Sequence, residues 1–476
     1  MRKTKIVATL GPASSDAQTI RAMLEAGVNV VRFNFSHGTH ESHAEAIALF
    51  RQVRDAMGLP AAVLLDTKGP EIRVGLFGGG AAMLETGGRF TLTTRAVTGS
   101  AEAASVSYRE LPGQVAPGTR LLLDDGKIAL RALRANETDI ECEVEAGGLL
   151  KDRKSVNIPG SRLGMPYLSE ADKADLLFGI EHDVDFVAAS FVRRREDVVL
   201  LRKFLDYNGG HSIKIISKIE NLEGIENFDE ILGVSDGIMV ARGDMGVEVE
   251  YERLPGLQKK FIKACYSAGK MAITATQMLE SMVSSPSPTR AEITDVANAV
   301  FDGTSAVMLS SESAVGQYPV RAAEVMAKIA RQAETDAFDQ NAYRDIRYYI
   351  DAEDTTNAIC DAACTTARDI RARAIIAVTK SGTTARRMSK FRPQIPIVAA
   401  TPIDKTFHQL SLSWGVYPVV ARMQSSTDDL FLHAIDCAKQ LDLAEDGDTV
   451  VITGGVPLAT TGTTNILKVQ VVGEEI

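Results

Sequence analysis

The sequence lacks the features of several specialised classes of protein. No run of 18 apolar residues occurs among its 476 residues, so we expect no transmembrane helix and no membrane partner. The N-terminal run MRKTKIVATLGP has too short an apolar stretch for a signal peptide, and a cytoplasmic protein is the expectation. The five cysteines show no spacing of a zinc site or a disulfide framework: Cys142, Cys265, Cys360, Cys364 and Cys437.

An excess of positive charge is also missing. The formal net charge is −10 at pH 7, which argues against a nucleic-acid partner. An acidic protein that binds phosphates must therefore collect its cations in one place. The composition is otherwise that of an ordinary globular protein, with 45% hydrophobic and 24% charged residues, and the length suggests about three domains.

Short apolar runs rich in valine and isoleucine alternate with helical segments over the first two thirds of the chain. Such runs are typical of strands that are buried on both faces of a parallel sheet. Eight strands, each followed by a helix, predict an α/β fold of the (β/α)8 TIM barrel type, with an open doubly wound sheet as the alternative. The predicted strands begin at Lys5, Val28, Ala61, Val184, Ile213, Gly237, Met271 and Ser305.

Local signals mark the ends of some helices. Ser15 with Gln18 indicates a capping box at the start of the first helix, and Gly27 indicates its end. Ser169 and Thr289 each open a further helix. The charged stretch QAETDAFDQNAYRDIRYYIDAEDT shows no clear pattern and is predicted to be a connection.

One connection in the predicted barrel is far longer than the others. About a hundred residues separate Thr67, at the end of the third strand, from the helix that Ser169 opens. They are rich in glycine and threonine and alternate apolar with polar residues, and Asp125 with Gly126 marks a hairpin. We predict a small β-barrel domain inserted at the catalytic face, where it would act as a lid.

Three domains follow from these patterns. We predict a catalytic barrel over residues 1–70 and 165–338, the inserted domain over 71–164, and a C-terminal α/β domain over 339–476. Predicted strands of the C-terminal domain begin at Ala374, Ile395, Val416, Thr449 and Ile466.

Two runs carry most of the functional information. ISKIEN contains Lys218 and Glu220, and VARGDMG contains Arg242, Gly243 and Asp244. If both runs end barrel strands, their carboxyl ends open on the same face. Carboxylates there suit a hard divalent cation such as Mg²⁺, and a lysine suits a phosphate. The alternative is a solvated surface ion pair between Lys218 and Glu220.

The ends of the other predicted strands add cations and oxygen ligands. They contribute Arg32, Asn34, Ser36, His37, Asp66, Thr67, Lys68, Arg73, Thr276, Gln277, Ser310 and Glu312. Phosphoryl transfer needs such an inventory, whereas an aldol or Schiff-base enzyme would need a desolvated lysine or a basic histidine. The residues therefore indicate Mg²⁺-assisted chemistry on a phosphorylated anion, without naming the substrate.

At these same positions the chain resembles the pyruvate kinase family along essentially its whole length. The matching runs are KIVATLGPAS, VRFNFSHG, LLDTKGPEIR, IISKIEN, SDGIMVARGDMG, ATQMLESM and PTRAEITDVANAVFDG. The resemblance implies a phosphotransferase of the last step of glycolysis, which moves the phosphoryl group of phosphoenolpyruvate to ADP and gives pyruvate and ATP. A Mg²⁺-dependent barrel lyase acting on pyruvate or phosphoenolpyruvate, and a non-catalytic phosphate-sensing homologue, are the alternatives.

The resemblance implies roles for the central residues. Glu220 and Asp244 would ligate Mg²⁺ (or Mn²⁺), which bridges the protein to the phosphate and carboxylate of the substrate. Lys218 would lie on the transferring phosphoryl group and stabilise the transition state. The backbone N–H groups of Gly243 and Asp244, with Thr276, would hold the substrate carboxylate.

Further site residues are implied in the same way. Arg32 would neutralise phosphate charge. The K⁺ ligands would be Asn34, Ser36, Asp66 and Thr67. Nucleotide contacts would come from Asn34, His37, Arg73 and Lys154. An acidic residue at the position of Glu71 accompanies K⁺ dependence in this family.

The chain departs from the family at the end of the eighth strand. The family usually has SGET there, whereas this chain has SSES, in which Ser310 and Glu312 are retained and Ser311 replaces a glycine. The resemblance implies that the enolate left after transfer is protonated by a water near Thr276 and Ser310, because no strong general acid is present.

The C-terminal domain carries a predicted anion site. Small hydroxyl residues and a glycine at a helix N-terminus suit a phosphate, and in this family the region binds a phosphorylated effector. A sugar phosphate or a nucleotide would be held by Thr379, Lys380, Ser381, Gly382, Thr383 and Thr384, with the loop GGVPLATTGTTN closing over it. The alternative is that both loops merely turn the chain. A homotetramer is the family expectation.

Overall fold

The computed structural model describes residues 1–343, 354–458 and 464–475. Its largest part is a closed barrel of eight parallel strands, in which each strand pairs with its neighbours along the chain and β1 also pairs with β8. The predicted TIM barrel is confirmed, and the open doubly wound sheet is not formed. The barrel strands are β1 (Lys5–Thr9), β2 (Val30–Asn34), β3 (Ala62–Asp66), β4 (Phe186–Ala189), β5 (Lys214–Ile219), β6 (Gly237–Ala241), β7 (Met271–Ala275) and β8 (Ala306–Leu309).

Apolar side chains fill the inside of the barrel and the space outside it. An inner cluster includes the fully buried Val7, Val30, Leu64, Ile216 and Met239. A larger cluster lies between the strands and the surrounding helices. Because side chains alternate along a strand, a strand covered on both faces must be apolar throughout. All eight strands run in the same direction, so their carboxyl ends meet at one rim of the barrel.

Helices cover the outside of the barrel. Capping boxes begin the helices after Ser169 and Thr289, as predicted. The prediction for the first helix is wrong by one residue: Asp16, not Ser15, is the N-cap, because its carboxylate accepts the amide of Thr19. The helices of this part are α1 (Ala17–Glu25), α2 (His40–Ala56), α3 (Glu170–Glu181), α4 (Arg195–Tyr207), α5 (Leu222–Glu226), α6 (Phe228–Val234), α7 (Arg242–Glu248), α8 (Leu254–Ser267), α9 (Arg290–Phe301), α10 (Ser311–Ala314) and α11 (Pro319–Asp339).

The ends of two of these helices bear on the remaining sequence signals. Gly27 follows α1 with a φ of 107°, so it ends the helix in a conformation that favours glycine. The last helix, α11, extends to Asp339, so the first part of the charged stretch predicted to be a connection is helical. Residues 344–353 of that stretch lie outside the described residues.

The insert after β3 is built from β-strands. Six of them form one sheet, and two others form a separate pair. Arg73 bridges to Ser155 beside one edge strand of the larger sheet, and Val74 bridges to Val106 beside the other, so the sheet curls round on itself. Asp125 lies in the predicted hairpin. The strands of the insert are Ala81–Leu84, Arg89–Thr93, Ala103–Ser105, Arg120–Leu123, Ile128–Ala135, Asp139–Ala146, Gly148–Lys151 and Val156–Asn157.

The C-terminal part is a separate α/β sheet, as predicted. Its strands lie in the order β11-β10-β9-β12-β13, and only β13 is antiparallel to its neighbour. These strands are β9 (Ala374–Val378), β10 (Ile397–Thr401), β11 (Val416–Val420), β12 (Thr449–Gly454) and β13 (Ile466–Val471). The helices are α12 (Thr355–Asp369), α13 (Thr383–Lys390), α14 (Asp404–Gln409) and α15 (Thr427–Gln440). Short 3-10 helices elsewhere span Pro12–Ser14, Leu111–Gln114, Tyr251–Arg253, Glu280–Val283 and Leu410–Leu412.

The short helix α14 joins the C-terminal sheet to the barrel. Lys405 donates a hydrogen bond from Nζ to the carbonyl of Val184, at 2.7 Å, just before β4 begins. The next residue, Thr406, donates from Oγ1 to the carbonyl of Lys380, at 2.9 Å. Consecutive residues of one helix therefore contact the barrel and the predicted effector loop.

The structure shows the state of the cysteines and the apolar character of the helices. All five cysteines are buried free thiols. Burial raises the pKa of Cys437 to about 11, so this thiol has little thiolate character. Within the described ranges, no helix is both long enough and apolar enough to cross a bilayer.

Candidate active site

Lys218 lies at the centre of the rim where the barrel strands end. Its side chain is 11% exposed, and Nζ lies 3.1 Å from Asp66 Oδ1 and 2.9 Å from Glu220 Oε1. Burial alone would lower the pKa of Lys218, but the charges of Asp66 and Glu220 outweigh it and raise that pKa above its usual value. Lys218 is therefore a fixed, buried cation, and the alternative of a solvated surface ion pair is wrong.

Arg32 places a second cation on the same aspartate. Its Nε donates to Asp66 Oδ2 at 2.5 Å, and its Nη1 donates to Thr9 Oγ1 at 3.0 Å. Burial would raise the pKa of Asp66, but Arg32 and Lys218 together lower it. Asp66 remains an anion that aligns two cations at the rim.

The buried Glu220 and the half-buried Asp244 form a pair of carboxylates beside Lys218. Glu220 Oε2 accepts the amide of Phe191 at 2.7 Å, and Oε1 faces Lys218 Nζ at 2.9 Å. Burial raises the pKa of Glu220, Lys218 opposes this shift, and Asp244 adds to it. Burial likewise raises the pKa of Asp244 against the charge of Lys218. Two neighbouring carboxylates that repel each other beside a single lysine are a donor set that suits a hard divalent cation.

Gly243 and Thr276 lie together at the ends of β6 and β7. The Gly243 amide donates to Thr276 Oγ1 at 2.8 Å. A Cβ on Gly243 would make only ordinary contacts with the protein, the nearest at 3.5 Å, so packing against the rest of the chain does not require glycine here. Thr276 and Gln277 have positive φ angles of 66° and 54°, which are strained for residues with a side chain.

Arg242 supports this strained turn from outside the rim. It donates to the carbonyls of Thr276 at 2.6 Å and Ala275 at 3.2 Å, and its Nη1 contacts both carboxylate oxygens of Asp295 at 2.8 and 2.6 Å. The sequence placed Arg242 among the polar residues at the rim and assigned it no individual role. Its guanidinium group is occupied by structural contacts.

The residues predicted as K⁺ ligands lie on two neighbouring strand ends. Asn34 on β2 is in register with Asp66 on β3. Asn34 Oδ1 accepts the amide of Ser36 at 3.1 Å. Thr67 directly follows Asp66 and donates from Oγ1 to the carbonyl of Ala188 at 3.3 Å. This corner of the rim therefore combines an amide oxygen, hydroxyls and a carboxylate.

The residues predicted to contact a nucleotide lie farther out. His37 is largely exposed. The part of its side chain that is shielded from water, together with the charge of Arg73, lowers its pKa. Arg73 donates from Nε to Glu71 Oε2 at 2.8 Å. Lys154 belongs to the insert and forms an ion pair of 2.7 Å with Asp124. His37 follows β2 of the barrel, whereas Arg73 and Lys154 belong to the insert.

Ser310 has a hydroxyl that the protein leaves available. Its Oγ is buried and has no hydrogen-bond partner among the described residues. The Ser310 amide donates to Glu312 Oε2 at 2.7 Å, and the other oxygen of Glu312 accepts the amide of Leu279 at 3.0 Å. Ser311, the departure from the family pattern, begins α10. Glu312 is thus a structural carboxylate, and Ser310 keeps a free hydroxyl near the end of β8.

The predicted effector residues line a cavity in the C-terminal sheet. Those in the cavity wall are Thr379, Lys380, Ser381, Thr383 and Thr384. Gly382 is the N-cap of α13, with a φ of 77°, and its amide donates to Thr379 Oγ1 at 3.0 Å. Lys380 Nζ donates to the carbonyl of Leu458 at 3.3 Å. Residues 459–463 of the second predicted loop lie outside the described residues.

Comparison with known proteins decides the family. Residues 1–323 match the family model described as pyruvate kinase, barrel domain, and residues 357–470 match the one described as pyruvate kinase, alpha/beta domain. The chain belongs to the pyruvate kinase family. The resemblance noted in the sequence is confirmed.

Individual pyruvate kinases match along nearly the whole chain. That of Clostridium acetobutylicum is 46% identical over 473 residues, which cover 99% of this chain and 100% of the relative. That of Staphylococcus haemolyticus is 46% identical over 478 residues, which cover 100% of this chain and 81% of the relative. The crystal structure of a pyruvate kinase from Cryptosporidium parvum superposes with a TM-score of 0.92 at 39% identity, covering 99% of this chain and 96% of that one.

Two residues of this pyruvate kinase site were missed by the sequence reasoning. Ser190 Oγ lies 2.7 Å from Lys218 Nζ, and Phe191 supplies the amide that holds Glu220. Both directly follow β4, so their position at the end of a barrel strand was an available signal. Neither side chain is charged, so a search for cations and carboxylates does not include them.

We expect Arg242→Lys to loosen the turn at Thr276. Lysine cannot reproduce the forked contacts with two carbonyls and a carboxylate, and buried acceptors are left unpaired. Hydrogen exchange of residues 276–279, followed by mass spectrometry, should become faster by a factor on the order of 10. Arg290→Lys, at an exposed arginine on α9, is the matched control. Unchanged exchange in Arg242→Lys would contradict the structural role of Arg242.

Proposed function

We propose that this protein transfers the phosphoryl group of phosphoenolpyruvate to ADP, giving pyruvate and ATP. The observation that carries the proposal is Lys218, a buried cation held by two carboxylates at the catalytic rim of a chain in the pyruvate kinase family. In the reaction, the bond between phosphorus and the enol oxygen breaks, and a bond to an oxygen of the ADP β-phosphate forms. No observation favours the barrel lyase that the sequence left as an alternative.

Lys218 is proposed to stabilise the charge that develops during transfer. Its ammonium group would contact the transferring phosphoryl group and the enolate oxygen that leaves. Arg32 would neutralise a further phosphate oxygen from the other side of Asp66. Because both cations are already fixed by Asp66, little reorganisation is needed when the charge develops.

The substrate carboxylate is proposed to bind at the ends of β6 and β7. The backbone amides of Gly243 and Asp244 and the hydroxyl of Thr276 would donate to it. In the structure the Gly243 amide donates to Thr276 Oγ1, so a carboxylate would replace that contact. The lack of a side chain on Gly243 leaves room for a ligand to approach the backbone closely.

Glu220 and Asp244 are proposed to hold Mg²⁺ or Mn²⁺. The carboxylate oxygens of the pair and its raised pKa values fit a hard divalent cation. When bound, the cation supplies positive charge that offsets the phosphate and carboxylate of the substrate. The protein contributes the fixed position of both carboxylates, through the Phe191 amide for Glu220 and the start of α7 for Asp244.

A K⁺ ion is proposed to bind at the ends of β2 and β3. The ligands would be Asn34, Ser36, Asp66 and Thr67. Glu71 supports this proposal because it is an acid that adds no cation in place of K⁺. Burial raises the pKa of Glu71, although Arg73 opposes the shift.

ADP is proposed to bind between the barrel and the insert. Its phosphates would meet Asn34, His37, Arg73 and Lys154. The domain boundaries predicted from the sequence lie near residues 70 and 164. If the insert is a lid, these are the two points where the chain passes between the barrel and the lid. Gly126 at the tip of an insert hairpin already approaches Val247 on α7, where a Cβ would lie 3.7 Å away. A closing insert would exclude water from the transferring phosphoryl group.

The enolate left by transfer must gain a proton at carbon. We propose that a water held by Thr276 and Ser310 delivers it. The free hydroxyl of Ser310 fits this role, since it has no other hydrogen-bond partner in the described structure. Glu312, with both oxygens accepting backbone amides, does not compete for that role.

The C-terminal cavity is proposed to bind a phosphorylated effector, either a sugar phosphate or a nucleotide. Ser381 and Thr383 hydroxyls lie 2.9 Å apart at the start of α13, beside Lys380. Family membership supports the remaining parts of the proposal, a homotetramer working in the cytoplasm.

Lys218→Ala tests the catalytic proposal. The variant should still bind phosphoenolpyruvate but lose transition-state stabilisation, so kcat should fall by roughly 100-fold or more. A coupled assay of pyruvate release from phosphoenolpyruvate and ADP measures this change. Lys214→Ala, at the amino end of the same strand, is the control. A Lys218→Ala variant that keeps more than half its turnover would refute the assigned role.

Removing K⁺ tests the proposed monovalent site. We expect activity in KCl and strongly reduced activity in tetramethylammonium chloride at the same ionic strength, because the larger cation cannot be held by these ligands. The measurement is the initial rate against K⁺ concentration at saturating Mg²⁺ and substrates. Full activity in the buffer free of K⁺ would remove this site from the proposal.

An effector panel tests the C-terminal cavity. Fructose 1,6-bisphosphate, glucose 6-phosphate, ribose 5-phosphate and AMP are added during phosphoenolpyruvate titrations, and at least one should shift the half-saturating concentration. Ser381→Asp should abolish that shift by repelling the phosphate, whereas Ser287→Asp, at an exposed serine of the barrel, should retain it. If no compound shifts the curve and none binds by calorimetry, the effector site is abandoned.

A further inference from the structure

Ser190 lies at the end of β4, in direct contact with the central cation. The residue is 1% exposed, and its Oγ lies 2.7 Å from Lys218 Nζ. An ammonium group can only donate hydrogen bonds, so the hydroxyl oxygen of Ser190 must accept this one. The single proton of the hydroxyl has two acceptors within reach, the carbonyl of Thr67 at 2.6 Å and Asp66 Oδ1 at 3.2 Å. With either acceptor the hydroxyl is held in place while its oxygen accepts the hydrogen bond of the lysine.

The next residue repeats this arrangement with a backbone group. The Phe191 amide donates to Glu220 Oε2 at 2.7 Å. Phe191 has a φ of 52°, a left-handed conformation that is strained for a residue with a large side chain. One two-residue turn therefore holds both Lys218 and Glu220. Phe191 keeps an unfavourable φ angle in this turn, in the conformation that directs its amide to Glu220.

The surroundings clamp this turn in position. A Cβ on Gly69 would lie 2.9 Å from Cβ and from the carbonyl oxygen of Ser190, and a Cβ on Gly224 would lie 2.5 Å from the carbonyl oxygen of Val192. The buried hydroxyl of Tyr167 donates to the carbonyl of Ser190 at 3.2 Å. Two glycines and a tyrosine thus restrict the turn from different sides.

We infer that Ser190 is a positioning residue, which aims the Lys218 ammonium group at the transferring phosphoryl group by accepting one of its hydrogen bonds. Without this acceptor, Lys218 would be held only by Asp66 and Glu220 and would be drawn toward the carboxylates. The inference rests on the proposed role of Lys218 in the transfer.

Ser190→Ala is the first test. A misplaced ammonium group loses contacts that matter in the transition state, so kcat should fall by roughly 10-fold or more, while KM for phosphoenolpyruvate should change by less than about 2-fold. Ser190→Cys keeps the size of the side chain but accepts hydrogen bonds weakly, and should also lower kcat. This second variant decides the matter if Ser190→Ala does not fold, as judged by circular dichroism.

Ser217→Ala is the matched control. Ser217 is also fully buried, lies next to Lys218 in the chain, and its hydroxyl pairs with that of Ser235 at 2.7 Å instead of with the site. It should keep the kcat of the parent enzyme. An equal loss in Ser217→Ala and Ser190→Ala would mean that general loosening of β5 is responsible, and would overturn the inference.

A double-mutant cycle separates this inference from the role of Lys218 itself. If Ser190 acts through the ammonium group, Ser190→Ala should lower kcat by less than about 2-fold in the Lys218→Ala background. The same fold loss in both backgrounds would show that Ser190 acts by another route. Lys218→Ala with near-normal turnover would instead refute the role of the lysine. A raised K⁺ requirement in Ser190→Ala with unchanged kcat would place its action at Asp66 and Thr67, against the inference.

Discussion

The pairing of the buried Lys218 with Asp66 and Glu220 is the interaction on which the site depends. A buried ammonium group without partners would lose its proton or leave the site, because its desolvation is not compensated. The ends of β3, which carries Asp66, and β5, which carries Lys218 and leads to Glu220, must therefore lie at the same level. Strand β4 lies between these two strands, so its end must lie at that level as well. The closed barrel meets this requirement because β4 is held in register with both β3 and β5 by the hydrogen bonds of their ladders.

The same charges explain how an acidic protein can receive phosphates. The net charge of −10 would repel a phosphorylated anion at long range, so attraction has to be local. At the rim, Asp66 is shared between Arg32 and Lys218, which keeps both cations fixed in the absence of a ligand. Glu220 and Asp244 have the opposite imbalance, since two carboxylates lie beside one lysine. Under the proposed function, a divalent cation would correct this imbalance, and the site would take up an anion and a metal together.

The sequence predicted most of this arrangement because its signals are local. Apolar runs that end in polar residues identified every barrel strand, and the hydroxyl residues of the loop before α13 line a cavity. Errors arose where two neighbouring residues offer the same chemistry, as with Ser15 and Asp16 at a helix start. The structural role of Arg242 was missed because the direction of a side chain at a strand end depends on partners such as Asp295, 53 residues away. Ser190 was missed because a hydroxyl gains its role only from the lysine it contacts.

Strand β4 connects the floor of the barrel with the rim that carries the candidate site. Its amino end follows Asp185, whose carbonyl accepts the side-chain amide of Gln409 from α14 at 3.1 Å. Its carboxyl end leads to Ser190, about 16 Å along the strand at 3.3 Å per residue. A strand covered on both faces cannot slide without breaking its ladders with β3 and β5. The floor of the barrel, which the C-terminal sheet contacts, and the hydroxyl beside Lys218 are therefore fixed relative to each other along the barrel axis.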